Sequence, residues 1–200
     1  MAIVPNAEEI APVAALLGPG WEVMAQTRVG LGGAIVDGFV EALLRRAPCV
    51  VAISGDNPTL PRELLAGALR QLARSASVLG PCPDGGYYLV GVRLPRSTPW
   101  DRKRVRRRWR VAKVLEGVFG AARLGEATAL DTTWSGLQAA GLDPVLLGSW
   151  ADIDTAADLP ALVRSCTERP PTVAPATRAW LDINRQLIGS VSEPTVATQP

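Results

Sequence analysis

Apolar positions along this chain alternate between two spacings. Short runs of strand length, "AIVP", "WEVMAQ", "CVVAIS", "ASVLGP", "YYLVGVRL" and "DPVLLG", are separated by longer stretches with helical spacing. The clearest helical stripe is Ile35, Val36, Phe39, Val40, Leu43 and Leu44, which opens on the glycine-rich "GLGG". "PRELLAGALRQLARS" predicts a second helix, with proline early and Glu63 near its positive end. "NAEEIAPVAALLG", "TALDTTWSGLQAAG" and "DTAADLPALVRSC" predict three more. Pro12 sits awkwardly in the first of these and predicts a short or kinked helix there. "CVVAIS" is apolar at every position but the last, the pattern of a strand covered on both faces. Strands alternating with helices predict a three-layer α/β/α sandwich.

Composition narrows the chemistry. The 200 residues are 48% apolar with a net charge of +2, which suits one globular domain. There is no histidine, so Ser-His-Asp and Cys-His catalysis and imidazole-based zinc sites are excluded. Cys49, Cys82 and Cys166 are odd in number and widely spaced, without the pattern of a disulfide framework or a zinc site. A reducing cytoplasm is the expected location. No apolar run reaches the ~18 residues of a membrane span, and "MAIVPNAEEI" lacks the features of a signal peptide. Catalysis would rest on carboxylates, hydroxyls, basic side chains and a metal.

Three acidic turns stand out. "ISGDNPTLP" delivers Asp56 just past the end of an apolar strand, where open α/β sheets bind ligands. Locally, Asp56 reads more readily as a turn former than as a ligand of a divalent cation carrying phosphates. "GPCPDGGYYLVGV" places Asp84, Gly85 and Gly86 at the mouth of the next strand. This is either an Asp-Gly turn or a close approach of ligand to backbone. "SWADIDTAADL" carries Asp152, Asp154 and Asp158. Here helix capping by Asp154 or Thr155 competes with a metal site completed together with Asp56. "GLGG", Gly30 to Gly33, offers backbone N–H groups at a helix start to an anion but lacks a Walker lysine. "WDRKRVRRRWRVAK", Trp100 to Lys113, holds eight basic residues against one acid. It reads as a phosphate-binding stripe or as a solvated helix face with Val105, Trp109, Ala112 and Leu115 turned inward. The mixed overall charge and the lack of other basic clusters make nucleic acid a poor partner.

Together and in this order, "ISGDNPTLP", "LGPCPDGGYYLVGV" and "WADIDTAADL" resemble bacterial glycosyltransferase-A-like proteins related to nucleotide-diphospho-sugar transferases. Arsenosugar-biosynthesis-type glycosyltransferase relatives belong to the same group. Phospholactate and molybdenum-cofactor guanylyltransferases are more distantly similar. The resemblance spans residues 1–165. It leaves 166–200 as a C-terminal extension, with a helix expected over 177–189 and then a mobile tail.

The resemblance implies a GT-A fold, a mixed sheet with one antiparallel strand. It also implies a nucleotide or nucleotide-sugar donor, an unknown acceptor, and Mg²⁺ or Mn²⁺. Asp56 matches the acid that meets metal and nucleotide phosphates. Asp84, Gly85 and Gly86 match the acceptor-side turn, with Asp84 as the catalytic carboxylate and the two glycines alongside the bound donor. Asp152 and Asp154 match the late acidic loop, with Asp154 as the second metal contact. The expected activity is metal-dependent glycosyl or nucleotidyl transfer. The alternative is a catalytically impaired relative that serves as a binding or structural partner. Relatives begin with an apolar strand and a basic loop of Gly-Arg-x-Lys-Thr-Arg type, whereas this chain starts at the following strand, "AIVP". The resemblance therefore implies a sheet lacking its first strand, with a gap or an unpaired edge beside "CVVAIS". A second copy or a partner chain would complete it. Relatives also carry Asp-Leu-Gly-x-Arg where this chain has Gly30 to Ala34 without either charge.

Overall fold

The structure is a computed structural model. It describes residues 1–45, 47–93 and 104–185, without side chains over 104–110. The basic segment singled out in the sequence, with Trp100 and Trp109, therefore lies largely outside the described residues.

The chain folds as alternating strands and helices. The strands are β1 (Ala2–Val4), β2 (Val23–Ala25), β3 (Cys49–Ile53), β4 (Ser77–Pro81), β5 (Tyr87–Arg93) and β6 (Pro144–Leu146). The helices are α1 (Ile10–Leu17), α2 (Gly30–Leu44), α3 (Arg62–Leu72), α4 (Arg104–Ala121), α5 (Ala129–Ala139), α6 (Leu159–Thr167) and α7 (Pro175–Ile183). Pro12 is the third residue of α1, in the first turn, where its missing N–H has no intrahelical acceptor to lose. The awkward proline therefore needs no kink. Helix α7 begins two residues before the expected 177 and ends at Ile183. Its Leu181 packs on Leu162 and Cys166 of α6, so the extension is docked.

Four strands make one sheet in the order β3-β5-β4-β6. Strand β5 runs antiparallel to both β3 and β4, and β4 runs parallel to β6. This is the expected mixed sheet with one antiparallel strand. Leu79 of β4 and Val90 and Val92 of β5 face α2, α4 and α5, meeting Val36, Phe39, Leu115, Phe119 and Leu137. Phe39 and Phe119 meet edge to face at 5.6 Å. On the other face Val78 and Leu89 meet Ala68 and Leu72 of α3. Gly91 makes room there, since a Cβ would lie 2.9 Å from Leu72. These are the three layers.

β1 and β2 pair with each other in parallel and form a separate sheet. Among the described residues β3 is paired along one edge alone, with β5. Its five apolar residues are half-buried or, at Ile53, exposed, whereas β4 and β5 are almost wholly buried. The apolar pattern correctly marked β3 as covered on its faces, but its outer edge is open. Helix α2 touches both sheets. Gly38 admits Ile3 of β1, and Val36 and Phe39 share a cluster with Val50 and Ala52 of β3.

The start of α2 is fixed by an ionic cluster around the buried Asp37. The Asp37 carboxylate accepts from the backbone N–H groups of Thr27 and Arg28, from the Thr27 hydroxyl at 2.9 Å and from the Arg28 guanidinium. Arg28 also reaches Glu116 of α4 at 2.9 Å. Burial would raise the Asp37 carboxyl, but the donors from Thr27 and Arg28 outweigh it and hold the group below its usual range. The glycines of "GLGG" serve packing here. A Cβ on Gly32 would lie 2.4 Å from the Phe119 carbonyl oxygen, and one on Gly33 would lie 2.6 Å from Arg28 Cβ.

Candidate active site

The antiparallel β5 explains why the acidic turns meet. Ile53, at the end of β3, pairs with Leu89 near the beginning of β5, and Pro81 of β4 pairs with Tyr87. Leu79 lies opposite Leu146 at the end of β6. The turns after β3, β4 and β6 therefore share one end of the sheet, the end at which open α/β sheets bind ligands.

Each turn is held by the strands beneath it. In the first, Asp56 accepts from the Ser54 hydroxyl, and Ser54 N–H donates to the Tyr88 carbonyl at 3.0 Å. In the second, Cys82 N–H donates to the Gly86 carbonyl at 3.0 Å and closes the turn. Asp84 sits at its tip, with Oδ1 accepting from Gly86 N–H at 2.9 Å. Gly85 has φ +93°, and a Cβ there would lie 1.9 Å from the Ala127 carbonyl oxygen. Positive φ and this close approach make glycine necessary at position 85. In the third, the loop 147–153 is pinned at several points. Leu147 N–H donates to Leu79, Trp150 N–H to Pro81 and Ile153 N–H to Asp56, all to backbone carbonyls. The Tyr88 hydroxyl donates to the Gly148 carbonyl at 2.8 Å, and the Asn57 amide donates to the Ala151 carbonyl at 3.2 Å. Tyr88 reaches that far because its ring lies over Gly80, where a Cβ would be 2.3 Å away.

The late loop also separates its carboxylates by task. Thr155 and Asp158 form a reciprocal capping box, in which Asp158 accepts from Thr155 N–H at 2.8 Å and from Asp154 N–H at 3.2 Å. Asp158 is thus the structural acid, and its carboxyl is lowered by these bonds, the Thr155 backbone foremost. Asp152 and Asp154 instead line the cavity.

That cavity measures about 210 Å³. It brings together Asp56, Asp84, Gly86, Asp152 and Asp154, adds Glu126, and is also lined by the apolar Leu31, Ile35, Ala52 and Ile53. Gly85 is not among the lining residues, since it faces Ala127. No lysine or arginine lines the cavity among the described residues. The Asp154 carboxyl is held above its usual range by burial first, then by the charges of Asp152, Asp56, Asp84 and Asp158. Sequence reasoning missed Glu126 and also Cys82. Cys82 is buried, and its sulfur lies with carboxylate oxygens of Asp84 and Asp152 in a group whose atoms are within 4.8 Å of one another. Burial pushes the thiol up, and its hydrogen bond to Asp152 and the charges of Asp152, Asp84 and Asp56 add to this. Cysteine spacing gave no hint of it, because the partners are carboxylates from other turns.

The fold has a solved counterpart. A protein from Desulfovibrio desulfuricans G20, provisionally described as a nucleotide-diphospho-sugar transferase, superposes with a TM-score of 0.73 and 28% sequence identity. The match covers 94% of this chain and 74% of that one. No curated protein matches the chain. Helix α4 is the longest described helix, and no described helix is long and apolar enough to cross a membrane. Residues 2–107, more than half of the sequence, match the family described as "Uncharacterized protein conserved in bacteria (DUF2064)", and the chain belongs to that family.

Proposed function

We propose that this protein is a metal-dependent transferase that takes a nucleotide or nucleotide-sugar donor and passes its glycosyl or nucleotidyl group to a hydroxyl acceptor. One observation carries the reading: four aspartates from three separate turns, together with Glu126, converge on one cavity without a basic side chain among its described lining residues. Such a cavity repels a diphosphate unless a cation enters first. The donor set suits that cation, because carboxylate oxygens are the hard ligands preferred by Mg²⁺ and Mn²⁺. Burial first, and then the charges of Asp152, Asp56, Asp84 and Asp158, raise the Asp154 carboxyl, and a cation would offset the second of these. The similarity to a protein described as a nucleotide-diphospho-sugar transferase supports the same reading. No observation favours a catalytically impaired binding partner instead.

Asp56, Asp154 and Asp152 are the residues that would hold the ion. When bound, the ion neutralises the departing diphosphate. Asp84 works on the acceptor. It sits exposed at the tip of its turn and lines the cavity, with one oxygen anchored by Gly86 N–H. As the acceptor oxygen forms its bond to the anomeric carbon or phosphorus, the bond to the leaving group breaks and the hydroxyl proton passes to Asp84. Gly86 lets the donor approach the backbone. Ordinary ligand pockets span ~300–1,000 Å³, so the cavity accommodates the reacting end of the donor, with the remainder outside.

Thermal unfolding with nucleotides and nucleotide sugars, with and without Mg²⁺ or Mn²⁺, tests the proposal through binding linkage. A metal-dependent rise in Tm that Asp56→Ala abolishes is expected. No metal-dependent shift with any nucleotide, or one indifferent to Asp56→Ala, would sink it.

A further inference from the structure

We propose that Asn57 is a positioning residue: its side-chain amide staples the turn that carries Asp56 to the loop that carries Asp152, and so sets the spacing of these two carboxylates in the cavity. What that spacing does for a metal ion rests on the reading above. The staple itself does not.

Asp152 is held from either side by one dipeptide. The Asp56 carbonyl accepts from Ile153 N–H at 3.1 Å, and Asn57 Nδ2 donates to the Ala151 carbonyl at 3.2 Å. The two bonds bracket Asp152 and tie both of its neighbours to the Asp56 turn. Asn57 and Ala151 are 94 positions apart, so chain connectivity alone does not keep these loops together. The Asn57 backbone is itself fixed, because its carbonyl accepts from Leu60 N–H at 3.0 Å. Its amide is not free to turn over either. Oδ1 would then face the Ala151 carbonyl, and both groups are acceptors. Local stability does not account for this side chain. Asn57 is only 8% exposed, and its Oδ1 is shielded from solvent with no donor among the described residues. A buried, unpaired acceptor is a net cost to folding. An apolar residue of similar size would avoid that cost but would lose the bond to Ala151. Local costs of this kind are expected at functional sites, and this one joins two carboxylates that line the cavity.

The test uses the full chain and compares native protein with Asn57→Ala, Asn57→Ser, Asp152→Ala and the Asn57→Ala, Asp152→Ala double variant. The first readout is hydrogen exchange at single amides by nuclear magnetic resonance, without metal. Asn57→Ala should speed exchange of Ile153 N–H about two- to tenfold, the worth of one hydrogen bond. Leu147 N–H, bonded to the Leu79 carbonyl, should keep its native rate. The second readout is Mn²⁺ affinity by electron paramagnetic resonance. Partners that orient metal ligands typically change affinity by about 10–100-fold, so Asn57→Ala should weaken binding about tenfold. With Asp152 already replaced, the same change should weaken it far less, because residues acting through one contact are not additive. Asn57→Ser, whose hydroxyl is one bond shorter than the amide, should move both readouts the same way and serves if Asn57→Ala does not fold. Native exchange at Ile153 in these variants, or equal acceleration at Ile153 and Leu147, overturns the staple. Native Mn²⁺ affinity in the Asn57 variants, or a loss undiminished by Asp152→Ala, overturns the positioning role. Native protein that binds no Mn²⁺ while Ile153 exchange still responds to Asn57 defeats the metal reading and leaves the staple standing.

Discussion

Strands β3 and β4 are built from similar apolar sequence, "CVVAI" and "SVLGP", and both lie between helices, yet they live in different surroundings. β4 has a hydrogen-bonded neighbour on each side, β5 and β6, and is buried along nearly its whole length. β3 has a neighbour on one side among the described residues, and its terminal Ile53 is 48% exposed. Covering a strand's faces with helices does not bury it; its edges must be paired as well. The cavity straddles the two regions. Cys82, Asp84 and Asp152 belong to the completed side, where Tyr88, Trp150 and the β4 carbonyls hold them. Asp56 and the apolar wall of Ala52 and Ile53 belong to the open edge.

Substitutions should separate the two regions. The largest effect is expected for Leu79→Ala. Leu79 is fully buried at the centre of the completed sheet, and emptying such a site costs about 2–5 kcal/mol. Urea unfolding measures it, and a loss below 1 kcal/mol would show that the completed side is not the main core. Gly85→Ala comes next. It forces a side chain into positive φ and onto the Ala127 carbonyl, at a cost of about 1–3 kcal/mol. It should displace Asp84 as well, so transfer should fall more than stability does. Smallest is Ile53→Ala, which should cost under about 1 kcal/mol because the side chain already meets solvent. A cost equal to that of Leu79→Ala would mean that β3 is buried in solution by a pairing across its free edge.

Acid should sharpen the same contrast. The Asp154 carboxyl is raised in the folded state, so protonation favours folding at this site, and stability here falls as pH rises through the folded value. The metal needs the ionised form. Mn²⁺ affinity should therefore drop as pH falls toward and through this raised value, and Asp154→Asn should remove that part of the pH dependence. Asp37 runs the other way. Its lowered carboxyl contributes stability above the unfolded value, lost as pH falls through the folded one. Asp37→Asn should thus flatten the acid limb of an unfolding curve. Circular dichroism across pH reads both groups.

Much of this was legible in the sequence. Runs such as "YYLVGVRL" and stripes such as Ile35 to Leu44 have one physical reading each, and the strands and helices fall where they predict. Asp56, Asp84 and Asp154, which line one cavity, stand out in the sequence because each follows or precedes a strand at the ligand-binding end. Three features were hidden because they depend on contacts distant in sequence. Gly85 reads as a ligand-side residue in the sequence, whereas the need for glycine there is set by the Ala127 carbonyl. "GLGG" looked like an anion cradle, whereas its glycines answer to Phe119 and Arg28. The place of Cys82 beside Asp84 and Asp152 was hidden because Asp152 lies 70 positions away. The separation of Asp154 from Asp158 also needed the capping geometry, since the local pattern permits either residue to serve the helix.

The central claim is that a cavity rich in carboxylates and without a basic side chain among its described lining residues accepts an anionic donor through a divalent cation. Isothermal titration of nucleotide sugars into the protein, once with EDTA and once with Mn²⁺, tests it most directly. The account predicts no measurable binding in EDTA, binding in Mn²⁺, and loss of that binding in Asp56→Ala. Equal affinity with and without metal, or binding in Mn²⁺ that survives Asp56→Ala and Asp154→Ala together, would contradict it.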